Sequence, residues 1–477
     1  MLTSFVSFVP PVLLGYLIVS AMWHTVNTRQ AILKLFLGLG IGLGATSLLF
    51  FAWLLLTHQA RGFEWALMGL LAVWILAKLF RRGSRQIRIR MPGVHYRGAW
   101  IGLALSVAFA ATLLLSCSSF VMYSLTRPHG DRDAQAIWNL RARVIYRDTS
   151  NWTRVFSPEF DSRFHADYPL LIPLNDVWGW EFLNRESTGT PIVLASLFTY
   201  GTICLAFAAL INLKTWGQAS LASLVLMGTP FFFSLGAYQI ADIPLSYFIL
   251  STIVLLALYG IQGERTHLAL AGLAAGLAAW TKNEGDFFIL AVLAGCTVYG
   301  LLQRQVWRTL GTLAAGMAAP IVMVLYYKAT LAPPNDLFVG FNLGEALRKL
   351  VSLQRYEIIF AAIGKALLNF GNWRVSIVIV LAIFSIVVGM RMERPQRRVA
   401  AVCTIVLALQ LLGYIFIYAI TPVPLEYHLQ YSLDRLLFQL FPAALVLVFW
   451  SLATPEDIIP NHLPSKPQKT DAYASNR

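Results

Sequence analysis

The sequence predicts an all-α polytopic membrane protein of about 13 transmembrane helices, with outer-face loops carrying interfacial amphipathic helices. Three observations predict it. The 477-residue chain is 57% hydrophobic and 13% charged, with a mean hydropathy of +0.64, which is more apolar surface than a soluble domain of that length can bury. Apolar runs of roughly 17 to 25 residues, each able to cross about 30 Å of hydrocarbon, recur from Phe5 to Trp450. Lys and Arg are divided unevenly among the loops between those runs.

In chain order the runs occupy residues 5–22, 32–56, 63–80 and 99–125, then 191–211, 216–235, 243–261 and 268–280. The remaining runs are 287–302, 309–327, 375–390, 399–418 and 436–452. The first has no basic n-region and no small-residue cleavage site, so it reads as a retained span and Met1 as the mature terminus. Cys117, Cys204, Cys296 and Cys403 all fall inside runs, too far apart to suggest a metal cluster or a disulfide framework.

The formal charge of +14 invites a nucleic-acid reading that its distribution does not support. Residues 78–97 hold Lys78 and six arginines, and a loop of that kind belongs in the cytoplasm. Alternating from that anchor leaves about 20 Lys/Arg and 5 Asp/Glu inside, against about 17 and 18 outside, with the N-terminus out and the C-terminus in. The carboxylates therefore gather on the outer side, in short motifs at span ends. Three units follow: a three-span N-terminal extension over 1–97, a transmembrane core over 98–453 with large outer loops at 126–190 and 329–373, and a disordered cytoplasmic tail over 454–477.

The first large outer loop opens on His129-Gly130-Asp131-Arg132-Asp133-Ala134. Ile137, Leu140, Val144 and Ile145 then share a face, with Asn139, Arg141 and Arg143 turned elsewhere, as an interfacial helix would have it. Asp131 as a helix cap and Asp133 as a complement to the helix dipole is one reading of that pair; chemistry is the other. His165-Ala166-Asp167-Tyr168-Pro169 continues through Leu170-Leu171-Ile172-Pro173 as an extended strap, because each proline disfavours helix at the residue before it.

Further outer motifs are Ala241-Asp242-Ile243-Pro244, Thr281-Lys282-Asn283-Glu284-Gly285-Asp286 and the segment from His428 to Arg435. Asp242 suits capping; Lys282 suits either neutralising Glu284 or contacting a phosphate. Between them, Pro333-Pro334-Asn335-Asp336 precedes a helix whose Leu343, Ala346, Leu347 and Leu350 share a face, with Arg348, Lys349 and Arg355 placed for anionic headgroups. Arg435 enters the last run so close to hydrocarbon that it needs an anionic partner, and adjacent Asp434 points to a different helix face.

Taken in order, Asp131-Arg132-Asp133-Ala134, His165 to Pro173, Ala241-Asp242-Ile243-Pro244, Thr281-Lys282-Asn283-Glu284 and His428 to Arg435 resemble the bacterial branch of the GT-C superfamily of membrane glycosyltransferases. That branch is related to protein O-mannosyltransferases and aminoarabinose transferases. The resemblance covers residues 99–452 and leaves the first three runs unmatched. It implies transfer of a sugar, with inversion, from a polyprenyl-phosphate donor to an acceptor hydroxyl on a glycan, lipid or protein, in a bacterial inner membrane with the site facing the periplasm or exterior. Membrane lipids are the surroundings and nucleic acid is no partner.

By the same resemblance Asp133 matches the base, with Asp131 as its competitor. Lys282 and Arg435 form the phosphate clamp, with His428 and Arg141 as further candidates. Asp167, Asp242 and Glu284 orient sugar or acceptor beside His165 and Tyr168. Some relatives use a divalent metal, for which His165, Asp167, Asp242 and Glu284 are the available ligands, so the metal stays open. A polytopic transporter or lipid-linked sugar flippase is the main rival, and a non-catalytic assembly subunit is the second.

Overall fold

The computed structural model describes residues 2–24, 27–80, 99–157, 165–335 and 342–454. Most of the basic 78–97 loop, Asp336 and the tail beyond Thr454 lie outside the described residues.

The described residues form helices throughout: α1 (Leu2–Ser7), α2 (Val9–Met22), α3 (Thr28–Thr57), α4 (Phe63–Phe80), α5 (Ala99–Thr126) and α6 (Asn139–Arg147). Then come α7 (Leu171–Leu183), α8 (Gly189–Leu213), α9 (Trp216–Met227), α10 (Pro230–Ala237), α11 (Asp242–Gln262), α12 (Arg265–Thr281) and α13 (Glu284–Leu302). The chain ends in α14 (Val306–Thr330), α15 (Leu343–Leu350), α16 (Leu353–Leu368), α17 (Ile377–Val388), α18 (Arg394–Ile420) and α19 (Leu425–Ser451). Local chemistry sets their ends. Asn27 and Thr215 cap α3 and α9 by accepting from Gln30 N and Gln218 N, and Gly263 ends α11 at φ +73°.

Among the described residues, ten helices are long and apolar enough to cross a membrane, and up to twelve if each of two bent pairs counts as one span. The protein is therefore a multi-pass, membrane-type helical bundle. The thirteen apolar runs and this count part company at three places. The run at 216–235 is broken into α9 and α10, bent by 65° where Thr229 precedes Pro230, a position that disfavours helix. The 375–390 run contains α17, only 12 residues long, meeting the segment before it at 89°. At 17 residues, α12 spans only about 25 Å.

The N-terminal helices are built into the bundle. Four glycines, Gly38, Gly40, Gly42 and Gly44, line α3, and they face two ways. A Cβ on Gly42 would lie 1.9 Å from Pro11 O, and one on Gly15 1.9 Å from Gly38 O, so α2 and α3 touch backbone to backbone. Gly40 and Gly44 instead admit Tyr247 of α11 and Leu277 of α12. Tyr247 donates its hydroxyl proton to Phe36 O, and Trp280 Nε1 donates to Ser47 Oγ at 2.9 Å. At the centre, α11 is apolar all round and buried along almost its whole length.

Candidate functional site

Four motifs far apart in the chain meet at one end of this bundle. Gly130, at φ +76°, makes the turn that sends the chain from α5 into the 131–138 segment, and a side chain there would strike Ala134 and Tyr238 O. Gln239 grips that turn by donating to Pro128 O and accepting from Asn139 Nδ2 at 2.8 Å. The motif ahead of α11 thereby sets the position of Asp133.

Asp133 Oδ2 accepts from Arg435 Nη1 at 2.5 Å. The same guanidinium donates through Nε and Nη2 to Asp242 Oδ2, at 3.1 and 2.8 Å. Asp242 Oδ1 accepts from Lys282 Nζ at 3.0 Å and from Gln439 Nε2 at 2.7 Å. Lys282 also pairs with Glu284 Oε1 at 2.7 Å, and Gln439 Oε1 accepts from Tyr414 OH at 2.6 Å. A single network thus runs Asp133, Arg435, Asp242, Lys282, Glu284. It has a floor and a mouth: side-chain exposure is 0% at Asp242 and 5% at Lys282, but 24% at Arg435 and 38% at Asp133.

A second polar group lies alongside, joined to the first through Asn283. Asp167 Oδ2 accepts from Asn283 Nδ2 at 2.5 Å and Asn335 Nδ2 at 2.8 Å, while Lys328 Nζ donates to Asp167 O at 2.8 Å. Tyr327 OH donates to Ala166 O and Tyr168 O, and Arg141 Nη1 donates to Tyr168 O. The 165–168 strap is thereby pinned from both sides. Tyr168 stacks between His165 and Trp138, with ring centroids 5.0 and 5.5 Å away, and Lys282 Nζ lies 5.9 Å from its centre.

Arg141 is the largest departure from the amphipathic reading. Arg141 and Asn139, expected off the apolar face, are buried with Ile137 and Ile145 because α6 packs on α7 and the strap. The guanidinium also bonds Ile137 O and lies over the Trp138 ring, which offsets its loss of water. Burial lowers its pKa. Asp131 stands outside the network, paired with Arg127 at 3.4 Å on the surface. Asp133 makes no side-chain cap hydrogen bond. His428 turns to Thr421 Oγ1 at 3.0 Å and edges onto Tyr418. Lys349 and Arg355 donate to carbonyls at the end of α18, namely Thr421 O, Ala419 O and Tyr418 O.

The four ligand candidates for a metal do not converge. Among the described residues no group of three or more His, Cys, Asp or Glu is placed to hold an ion, and Asp242 already accepts from three cationic or amide donors.

Several participants escaped the sequence reading, namely Gln439, Tyr414, Tyr327 and Lys328, while Asn283 and Asn335 stood in motifs noted there without a role of their own. Gln439 carried a usable signal, since it lies one helical turn past Arg435 and faces the same way. Asp176, buried on α7, did not. Among the described residues neither of its oxygens has a hydrogen-bond partner, and burial, opposed by nearby Arg143, pushes it well above the usual carboxylate range. On the same helix Glu181 is pushed up to about 7 by burial and by Glu64. Comparison with protein-family models, curated sequences and solved structures returns no match.

Proposed function

We propose that this chain is an integral membrane glycosyltransferase. It moves a sugar from a polyprenyl-phosphate donor to an acceptor hydroxyl of a glycan, lipid or protein, on the extracytoplasmic side of a bacterial inner membrane. The observation that carries the reading is the ion network: one half-exposed carboxylate at the mouth, backed by cations on a buried anionic floor, at a helix-bundle end that lipid headgroups can approach.

In the proposed reaction the acceptor oxygen forms a bond to the anomeric carbon as the bond from that carbon to the phosphate oxygen breaks. The hydroxyl proton passes to Asp133, and polyprenyl phosphate departs with the electron pair. Arg435 meets the phosphate, while Asp242, itself held by Lys282, keeps Arg435 at its station. Asp167, Glu284, His165 and Tyr168 line the approach.

A transporter or flippase of lipid-linked sugars is the second reading, favoured by the broken pair α9 and α10, since interrupted helices are a device of transporters. The deciding experiment gives purified protein in nanodiscs a panel of polyprenyl-phosphate monosaccharides carrying radiolabelled sugar. Transfer or donor hydrolysis by wild type that falls about 10²- to 10⁴-fold in Asp133→Asn, with expression unchanged, supports the transferase. Lipid movement between leaflets without transfer across the panel would replace it with the flippase.

A further inference from the structure

Arg435 already gives three of its five N–H donors to protein carboxylates. Its Nη1 donates to Asp133, and its Nε and Nη2 donate to Asp242. Around it stand three carboxylates, Asp133, Asp242 and Glu284, against the two cations Lys282 and Arg435. An incoming phosphate adds negative charge to a set already negative among the described residues, so its binding is favoured when one anion gives up its donor.

The two carboxylates on Arg435 differ in what leaving would cost. Asp242 is 0% exposed and also accepts from Lys282 and Gln439; withdrawing it would strand charges out of water. Asp133 is 38% exposed, makes one side-chain hydrogen bond to Arg435, and makes no cap bond. It can turn to solvent at little cost.

Resting on the transferase reading for the identity of the anion, we propose that Asp133 and the donor phosphate compete for Arg435. Phosphate binding displaces Asp133 from the guanidinium and frees its oxygen to receive the acceptor's proton. The carboxylate is held idle until a donor occupies the site, so water is not activated beside an empty or half-assembled complex. Asp133 is then both the base and a built-in rival of the substrate.

Competition has a consequence that a simple catalytic role lacks. Removing the base should tighten donor binding. The test measures affinity of the full-length protein in nanodiscs for a short-chain polyprenyl monophosphate bearing no sugar, with the matching polyprenol as the apolar control. Asp133→Asn and Asp133→Ala should both bind the phosphate lipid about three- to fivefold tighter than wild type, the upper part of the range for losing one partly exposed ion pair. The Ala variant excludes a new bond from the Asn amide.

Asp434→Asn, which removes an exposed neighbouring charge that does not touch Arg435 among the described contacts, should stay within about twofold of wild type. Arg435→Gln should weaken binding and abolish the effect of Asp133→Asn in the double variant. Inorganic phosphate, run as a second ligand, assigns the source: tightening for the lipid alone assigns a lipid-borne phosphate, and tightening for both assigns the headgroup.

Equal or weaker binding by both Asp133 variants overturns the proposal, as does equal tightening in Asp434→Asn or no saturable binding to any of the proteins. Should Arg435→Gln fail to fold, the comparison of Asp133 and Asp434 variants still decides. The two readings fail separately. Tightening without sugar transfer on any donor removes the transferase and leaves the competition, whereas transfer without tightening does the reverse.

Discussion

Asp242 is the residue on which the site leans. It accepts from Arg435, Lys282 and Gln439 without contact with solvent, and its removal leaves two cations without their shared counter-ion. Asp242→Asn is therefore expected to cost about 3–5 kcal/mol and to lower the melting temperature in detergent, whatever it does to activity; an unshifted melting curve would contradict that role. Glu181 supplies a pH signature. Its carboxyl is raised from 4.5 to about 7 in the fold, so the folded chain binds more protons than the unfolded chain between those values. Its contribution is complete below about pH 4.5 and lost as pH rises through about 7. Glu181→Gln should flatten the fall in melting temperature between pH 5 and 8 and be more stable at pH 8 by about 1 kcal/mol. Parallel pH profiles would refute it.

At this scale the sequence was partly legible. Asp133, Asp242, Lys282 and Arg435 announced themselves because a charge at a span end needs a reason. Which charge meets which was not legible, because the pairing depends on how α11, α12 and α19 rotate about their axes. The expectation that Arg435 needed an anion was met by two protein carboxylates. Asn283 and Lys328 carried no mark distinguishing them from ordinary interface residues.

Among the elements, helices were easy to read and their bends were not. Apolar length located almost every long helix, while the 65° break between α9 and α10 depended on one Thr-Pro step inside an unbroken apolar run. The last apolar run was placed at 436–452, yet α19 begins at Leu425, so Arg435 sits well inside a continuous helix and is held at fixed height by it. The alternating glycines of α3 were a sign that passed unread: spaced by two, they offer one face to α2 and another to α11 and α12. That geometry predicts that Gly42→Ala, whose Cβ meets Pro11 O at 1.9 Å, lowers the melting temperature markedly. Gly311→Ala, with nothing within 4 Å, should raise it slightly, by about 0.5–1 kcal/mol of helix propensity. If Gly42→Ala melts like wild type, the close α2–α3 contact is not what holds the N-terminal helices in place.

For the molecule as a whole, the apolar, uneven composition was enough to name a helical membrane bundle, because bilayer thickness leaves few alternatives. The integration of α2 and α3 with the rest was not visible, since tertiary docking through glycine leaves no trace in hydropathy. The network has one more property, which belongs to the making of the protein. Asp242 and Arg435 are 193 residues apart, and at roughly 5–20 residues per second the ribosome delivers the second about 10–40 s after the first. Through that interval Asp242, and Lys282 once it is made, lack their last partner, and only the arrival of α19 completes the network. A nascent chain that stops before Arg435 leaves Asp242 with Lys282 and without the guanidinium that the finished chain supplies.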